Sequence, residues 1–193
     1  MAKRPYVDVL ISSMTALLST TYFGPVQWYQ KLYRYEHVLM EVHETFTKQT
    51  YRNRCLIATT QGVQALTVPI SHPDSAANNI QFQSSISNLQ SICLSNHCHW
   101  QHQHWQAITS AYGDSPFLPY YEDDLRPFFF ETGHWERLID YNEAIRQKIC
   151  ELLDIHPHVE PTKEYVKSRG FADYRDAIRP KQPPIDPDFK ARP

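Results

Sequence analysis

The sequence predicts a single α/β domain in which a small mixed sheet, with an N-terminal β-α-β unit and a hairpin, packs against C-terminal helices. Three observations support this prediction: two apolar runs flank a helical pattern, two others flank a glycine, and helical periodicity dominates the second half. With 193 residues, 41% of them hydrophobic, the chain is long enough for one sizeable core.

The β-α-β unit starts with the apolar run at residues 16–19, which we expect to be a strand. Gly24-Pro25 predicts the start of a helix, because proline suits the first helical turn. Apolar residues then recur at helical spacing, namely Val26, Tyr29, Leu32 and Tyr33. Residues 38–42 are almost continuously apolar, which is typical of a parallel strand covered on both faces.

The hairpin is predicted from residues 55–60 and 64–70, two apolar runs on either side of Gln61-Gly62-Val63. Pro69 marks its end, since proline cannot donate to a sheet ladder. Residues 71–99 are polar, and we expect one or two short strands there, at 80–82 and 91–94.

Helical periodicity organises the second half. Residues 100–112 predict a helix that ends at Gly113, and residues 135–153 predict the longest helix. Between them, we expect an aromatic loop at 115–121 and then a short helix through residue 130. Its acidic start, Glu122-Asp123-Asp124, suits a helix N-terminus. Two further helical pieces are expected at 162–169 and 172–178.

The two ends are expected to lie outside the domain of residues 14–180. The apolar run at residues 9–18 resembles a signal peptide only superficially, because polar residues interrupt it. Met14 is an alternative start, so residues 1–13 are expected to be an extension outside the fold. Residues 181–193 are rich in proline, and we expect a disordered tail. No segment approaches the ~20 apolar residues of a membrane-spanning helix.

The composition of the chain argues against several classes of binding partner. A formal charge of -2 and a pI near 6.5 argue against nucleic acid or an acidic membrane surface as a partner. The four cysteines form no C-x-x-C pair and indicate reduced thiols in a cytosolic protein. The chain contains neither glycine-rich phosphate loop nor the G-x-S-x-G elbow of serine hydrolases, and it indicates no cofactor or oligomeric state.

Residues 41–54 are the first candidate site, since they gather charged groups directly behind an apolar strand. At the carboxyl end of an inner parallel strand, this stretch would face the crevice where ligands bind. The cations Lys48, Arg52 and Arg54 suit a small anionic or sugar-like ligand. A general base is expected among the acid and imidazole groups that precede them, Glu41, His43 and Glu44. The alternative is a solvated loop whose charges pair with each other.

The second candidate is the histidine run at residues 97–104, with Cys93 upstream. Its spacing argues against zinc, because a helix would place His102 and His104 about 200° apart, and we expect no metal. His104 lies on the predicted buried stripe of its helix, so it is either a core histidine or an acid or base that lines a cleft.

Two weaker candidates complete the set. Cys55 follows Arg54, which would suit a nucleophile with a lowered pKa, but a buried strand position is favoured. The aromatic residues 117–121 either form the hydrophobic wall of a ligand site or pack in the core.

Three segments carry a resemblance to a known family: ALLSTTYFGPVQWYQKL, EVHETFTKQTYRNRCLIATTQGVQALTVP and HWQHQHWQAITSAYGDSPFLPYYEDDL. Over residues 14–180 the chain resembles the WbqC-like family of bacterial proteins. The most specific elements are K-x-x-x-x-NR, the proline of Val68-Pro69 and the W-x-x-x-H-W-x-x-I-x-x-x-Y helix. The resemblance implies a set of site or site-shaping positions: Tyr22, Glu41, Lys48, Asn53, Arg54, His104, Tyr112 and Pro116-Phe117.

The resemblance also implies a cytoplasmic protein associated with O-antigen or other surface-glycan genes. We therefore expect a transferase of surface-polysaccharide assembly that uses an anionic sugar, acyl or aminoacyl donor. The alternative is a non-catalytic ligand-binding or assembly protein of the same pathway. Catalysis predicts Glu41 or His104 in one cleft with Lys48 and Arg54. Similar sequences continue beyond the proline-rich segment, so truncation near residue 193 is expected.

Overall fold

The computed structural model describes residues 15–71, 88–167, 170–181 and 189, which form a single α/β domain. In chain order its strands are β1 (Thr15–Ser19), β2 (His37–Glu41), β3 (Arg54–Thr59), β4 (Gly62–Thr67), β5 (Ile70–Ser71), β6 (Cys93–Leu94), β7 (His158–Pro161) and β8 (Ala172–Asp173). Its α-helices are α1 (Val26–Arg34), α2 (Trp100–Tyr112), α3 (Leu118–Leu125), α4 (Pro127–Phe130) and α5 (Leu138–Leu152).

The main sheet is parallel throughout, with the strand order β7-β2-β1-β8. Strand β1 lies inside it, and Ala16, Leu17 and Leu18 are completely buried. This burial explains the unbroken apolar run and confirms the predicted parallel β-α-β unit. The register places Ser19 beside Glu41, so β1 and β2 end together at one edge of the sheet.

Helix α1 connects these two strands and starts where Gly24-Pro25 predicted a start. Pro25 is the N-cap, and its carbonyl accepts a hydrogen bond from the Trp28 amide. Trp28 and Leu32 are buried beside β1 and β2 in one hydrophobic cluster. The predicted stripe was partly wrong, because Val26 and Tyr33 are both 77% exposed.

The hairpin formed by β3 and β4 confirms the prediction for this segment. Thr60 and Gln61 form its two-residue turn, after which Gly62 takes a φ of 113°, a value that favours glycine. Its buried side chains include Cys55, Ile57 and Leu66. The short pair β5–β6 is also antiparallel, and β6 falls within the strand predicted at 91–94.

An aromatic cluster joins the hairpin to the C-terminal helices. Within it, Phe129 of α4 packs against Trp105 of α2, and Tyr141 of α5 packs against Trp100 of α2. Tyr141 also stacks on Tyr22, with 5.9 Å between the ring centroids. The predicted helices at 100–112 and 135–153 are present, the second as Leu138–Leu152.

Two predictions for the aromatic and C-terminal segments were wrong. Residues 118–121 begin helix α3 rather than completing a loop, with Pro119 in the first turn, where its missing N–H costs no helical hydrogen bond. Of the two predicted helical pieces, residues 162–167 form no helix, and residues 172–173 form strand β8. The amide of Thr162 instead donates to the carbonyl of Met40 on β2, and β8 pairs with β1.

Strand β7 was not predicted at all. Its sequence, HVEP, contains a proline and alternates weakly, but as an edge strand it needs to hydrogen-bond β2 on one side only. Residues 1–13, 80–82, 168–169, 182–188 and 190–193, about which the sequence also made predictions, lie outside the described residues. In the described part of the chain, every helix is too short or too polar to cross a bilayer.

Candidate functional site

A polar cleft of about 390 Å³, here called the charged cleft, opens beside the carboxyl ends of the parallel strands. Ligands of open α/β sheets bind at this edge, and ligand pockets commonly span about 300–1,000 Å³. The residues that line it are His43, Glu44, Thr45, Thr47, Arg52, Tyr165, Arg175, Asp176 and Arg179.

Arg52 is held on one wall by a buried ion pair with Glu44. The Nε atom donates to Glu44 Oε1 over 2.8 Å, Nη2 donates to Oε2, and Nη2 also donates to Ser19 Oγ over 2.9 Å. Both charged side chains are 8% exposed. Among the described contacts Nη1 has no partner, so this guanidinium is fixed in place and retains donor capacity.

Arg175 is fixed by two carboxylates. It binds Asp173 through Nε and Nη2, at 3.0 and 2.7 Å, and Glu41 through Nη1 at 3.1 Å. The hydrogen bond to Asp173 is the largest influence that raises the pKa of Arg175, and burial opposes it. The Tyr165 ring lies 5.1 Å from the guanidinium carbon, close enough for a cation–π contact.

His43 is the imidazole in the wall of the charged cleft. Its Nε2 lies 3.0 Å from the carbonyl oxygen of Thr162, and a carbonyl can only accept, so Nε2 carries the proton. Nδ1 of the neutral ring is then an acceptor. This tautomer suits a general base.

Glu41 is completely buried behind the charged cleft. Its Oε1 accepts hydrogen bonds from the His43 amide and Thr162 Oγ1, at 2.9 and 2.8 Å. Its Oε2 accepts from the Val166 amide and Arg175, at 2.9 and 3.1 Å. With four donors already on the carboxylate, Glu41 holds surrounding groups in position.

The other candidates from residues 48–54 lie outside the lining of the charged cleft. Lys48 is exposed, in the turn that follows Thr47. Buried Asn53 donates from Nδ2 to the carbonyl of Val68 over 2.9 Å, and its Oδ1 has no partner among the described residues. Arg54 lies on the hairpin, where Nε donates to Thr67 Oγ1 over 3.0 Å.

Tyr22 and His104 pair with each other in the aromatic core, with 2.9 Å between the Tyr22 hydroxyl and His104 Nδ1. Burial lowers the pKa of His104 to about 4, although a hydrogen bond to the Thr67 backbone opposes the shift. Neither residue lines the charged cleft, and Lys48 and Arg54 also lie outside its lining. His104 and Arg54 nevertheless contact the same residue, since Thr67 bonds His104 through its backbone and Arg54 through its hydroxyl.

The remaining candidates lie around a different surface. Tyr112 accepts a hydrogen bond from the Ala58 amide over 3.1 Å, and Phe117 is 66% exposed. Cys55 is buried as the strand prediction favoured, and this burial raises the pKa of its thiol to about 12. A thiol protonated at neutral pH is a poor nucleophile. Within the described ranges, no three histidine, cysteine or acidic side chains gather as metal ligands.

Sequence reasoning missed Tyr165, Arg175 and Arg179. Tyr165 and Arg175 fall in the two pieces predicted as helical, and Arg179 directly follows the second. A signal was present in Asp173-Tyr174-Arg175-Asp176, where two acids flank an arginine. Their distance in sequence from residues 41–54 concealed the connection, which depends on β8 joining β1.

Comparison with known proteins gives a family but no established activity. A curated relative, the uncharacterised protein Rv1507c of Mycobacterium tuberculosis, is 27% identical over 125 residues. The match covers 65% of this chain and 49% of the relative, so it spans about half the length of that protein. No solved structure gives a significant match. The model of the WbqC-like protein family matches residues 20–177, and the chain belongs to that family.

Proposed function

We propose that the charged cleft binds a small anionic or sugar-like molecule and that the protein is a cytoplasmic transferase of surface-polysaccharide assembly. The observation that carries the proposal is the pair of guanidinium groups, Arg52 and Arg175, fixed by buried carboxylates in the wall of a polar cleft. Groups positioned before the ligand arrives bind it at a lower entropic cost.

Arg179 supplies the cation that a ligand can recruit most easily. It pairs with Asp176, whose side chain is 83% exposed, and such surface pairs contribute only about 0–1 kcal/mol. A phosphate or carboxylate can replace Asp176 at small cost. The same ligand would also meet Nη1 of Arg52, which has no partner among the described contacts, and would form charge-assisted hydrogen bonds with it.

The chemistry follows from His43. In the proposed transfer, an acceptor hydroxyl or amine attacks the sugar, acyl or aminoacyl group of the donor, and the bond to the anionic leaving group breaks. His43 Nδ1 takes the proton of the acceptor, while the arginines hold the charge on the leaving group. His43 takes this role in place of Glu41 and His104, because it lines the charged cleft with an available acceptor atom.

Thermal-shift measurements with nucleotide sugars, acyl donors and free amino acids test the binding step. A ligand at 100 times its Kd stabilises the folded state by about 2.7 kcal/mol. We expect Arg179→Gln to weaken binding by about tenfold or more, since a charged hydrogen bond contributes about 1.5–3 kcal/mol.

Arg137→Gln is the matched control, because Arg137 also pairs with an aspartate three residues away but lies outside the cleft. Arg54→Ala should also bind normally. The proposal fails if no anionic compound stabilises the protein, or if the Arg179 and Arg137 variants bind equally.

A non-catalytic binding or assembly protein of the same pathway is the second candidate. Its support is that the base suggested by the sequence, Glu41, already accepts four hydrogen bonds, which leaves His43 as the one base in the transferase proposal. His43→Gln distinguishes the two. If the protein is a transferase, the His43→Gln variant should still bind the ligand but lose turnover. If it is a binding protein, neither the wild type nor the variant shows turnover.

A further inference from the structure

A second cleft, here called the apolar cleft, lies between strand β3 and helices α2 and α3. Its volume is about 310 Å³, and it shares no lining residue with the charged cleft. Its walls include Cys55, Ile57, Ile108, Tyr112, Leu118 and Tyr121. None of its lining residues carries a charge, so its chemistry differs from that of the charged cleft.

Two of the polar side chains in these walls already have partners. Tyr112 accepts a hydrogen bond from the Ala58 amide, and Ser115 Oγ accepts one from the Phe117 amide at 3.3 Å. The floor includes Phe23 and Phe129, whose rings stack at 5.8 Å with an interplanar angle of 2°. These walls match an uncharged apolar group better than a polar ligand.

The shape of the apolar cleft is set by helix α3. Leu118, Tyr121 and Leu125 all line it, and their spacing of three and four residues places them on one stripe. Seven residues of helix extend about 10 Å, so the stripe is long and narrow. No residue of α3 is buried, although apolar helix stripes normally are. The stripe therefore has space for an elongated partner.

We propose that the apolar cleft binds a linear, uncharged acyl chain of medium length. A chain laid along α3 would cover Leu118, Tyr121 and Leu125 together, whereas a single ring would cover only part of the stripe. The opposite wall is strand β3, where Cys55 and Ile57 face the same side. This site is independent of the charged cleft, and either proposal can fail without the other.

Isothermal titration calorimetry with S-octanoyl-N-acetylcysteamine tests the site, with the butanoyl and phenylacetyl thioesters for comparison. Each buried methylene contributes about fourfold in affinity. Because the cleft is open on one side, we expect the octanoyl probe to bind at least about tenfold tighter than the butanoyl probe. The phenylacetyl probe should bind more weakly than the octanoyl probe.

Leu118→Glu should weaken octanoyl binding at least about tenfold, since it buries a carboxylate against the chain. Tyr121→Glu, at a residue 42% exposed, is a second variant that keeps the test valid if the first does not fold. Val63→Glu is the control, because Val63 is 74% exposed on the hairpin and does not line the cleft.

Three results would overturn the assignment: no octanoyl binding, equal binding by all three glutamate variants, or tighter binding of the phenylacetyl probe. Sedimentation measurements could give a fourth result that overturns it. If the protein forms a dimer, if Leu118→Glu abolishes that dimer and if octanoyl thioester does not dissociate it, then the apolar cleft binds a second copy of the chain.

Discussion

At the scale of the residue, burial controls the protonation of His104. Its folded pKa of about 4 lies below the ordinary value of 6.5, so protons bind the unfolded chain more tightly. Stability from this residue is present above pH 6.5 and is lost as the pH falls towards 4. We expect a loss of about 2–3 kcal/mol between pH 7 and pH 4. Urea denaturation across this range measures it.

His104→Gln supplies the comparison, because glutamine does not titrate and its amide oxygen can still accept a hydrogen bond from Tyr22. The variant should lose less stability than the wild type over the same pH range. Identical pH dependence in the two proteins would mean that other groups cause the acid sensitivity.

Single residues also show what the sequence could reveal about the site. Arg52 and His43 were predicted because they belong to the charged stretch 41–54 directly behind an apolar strand, and both line the charged cleft. Arg175 could not be predicted in the same way. It reaches Glu41 across 134 positions, and only the strand pairing determines that approach.

At the scale of the element, Asn53 anchors the hairpin to the chain beyond it. The side-chain Nδ2 of Asn53 donates to the Val68 carbonyl, and the backbone carbonyl of Asn53 accepts from the Val68 amide over 2.8 Å. We expect Asn53→Ala to destabilise the protein by about 1–3 kcal/mol, because the buried carbonyl of Val68 would lose a partner. Chemical denaturation measures this change.

Gln64→Ala is the matched control, since Gln64 is an exposed amide on strand β4 of the same hairpin. It should change stability by less than about 0.5 kcal/mol. Equal losses in the two variants would contradict the anchoring role. Normal ligand binding by the folded Asn53 variant would also separate this role from the ligand-site position implied by family resemblance.

Elements with strong local periodicity were predictable, and elements that depend on distant partners were not. Strand β1, the hairpin and helix α2 each have a continuous pattern of their own. Strand β8 has only two residues and pairs with Ala16 and Leu17. Its local sequence fitted a helix, and tertiary pairing overrode that preference.

At the scale of the whole molecule, Glu41 joins the ends of three strands. Its carboxylate binds Thr162 after β7 and Arg175 after β8, while its backbone ends β2. We expect Glu41→Ala to cost about 3–5 kcal/mol, since it leaves buried donors without partners. Glu41→Gln should cost less, because it retains the shape and part of the hydrogen bonding. Equilibrium denaturation ranks the two variants.

Glu160→Ala provides the control, as Glu160 is an acid on neighbouring β7 with a side chain 63% exposed. It should leave stability almost unchanged. If Glu41→Gln instead folds with full stability and loses only turnover, Glu41 would be the base that the sequence suggested rather than a positioning residue.

The strand order also affects how the chain folds during synthesis. The central strands β1 and β2 are made early, but both edges of the sheet come from residues 158–161 and 172–173. On the ribosome, the first β-α-β unit would therefore wait with both backbone edges unpaired. Contacts that span 121 and 134 positions also slow folding. The nascent chain is thus most prone to edge-to-edge aggregation before its last strands are made.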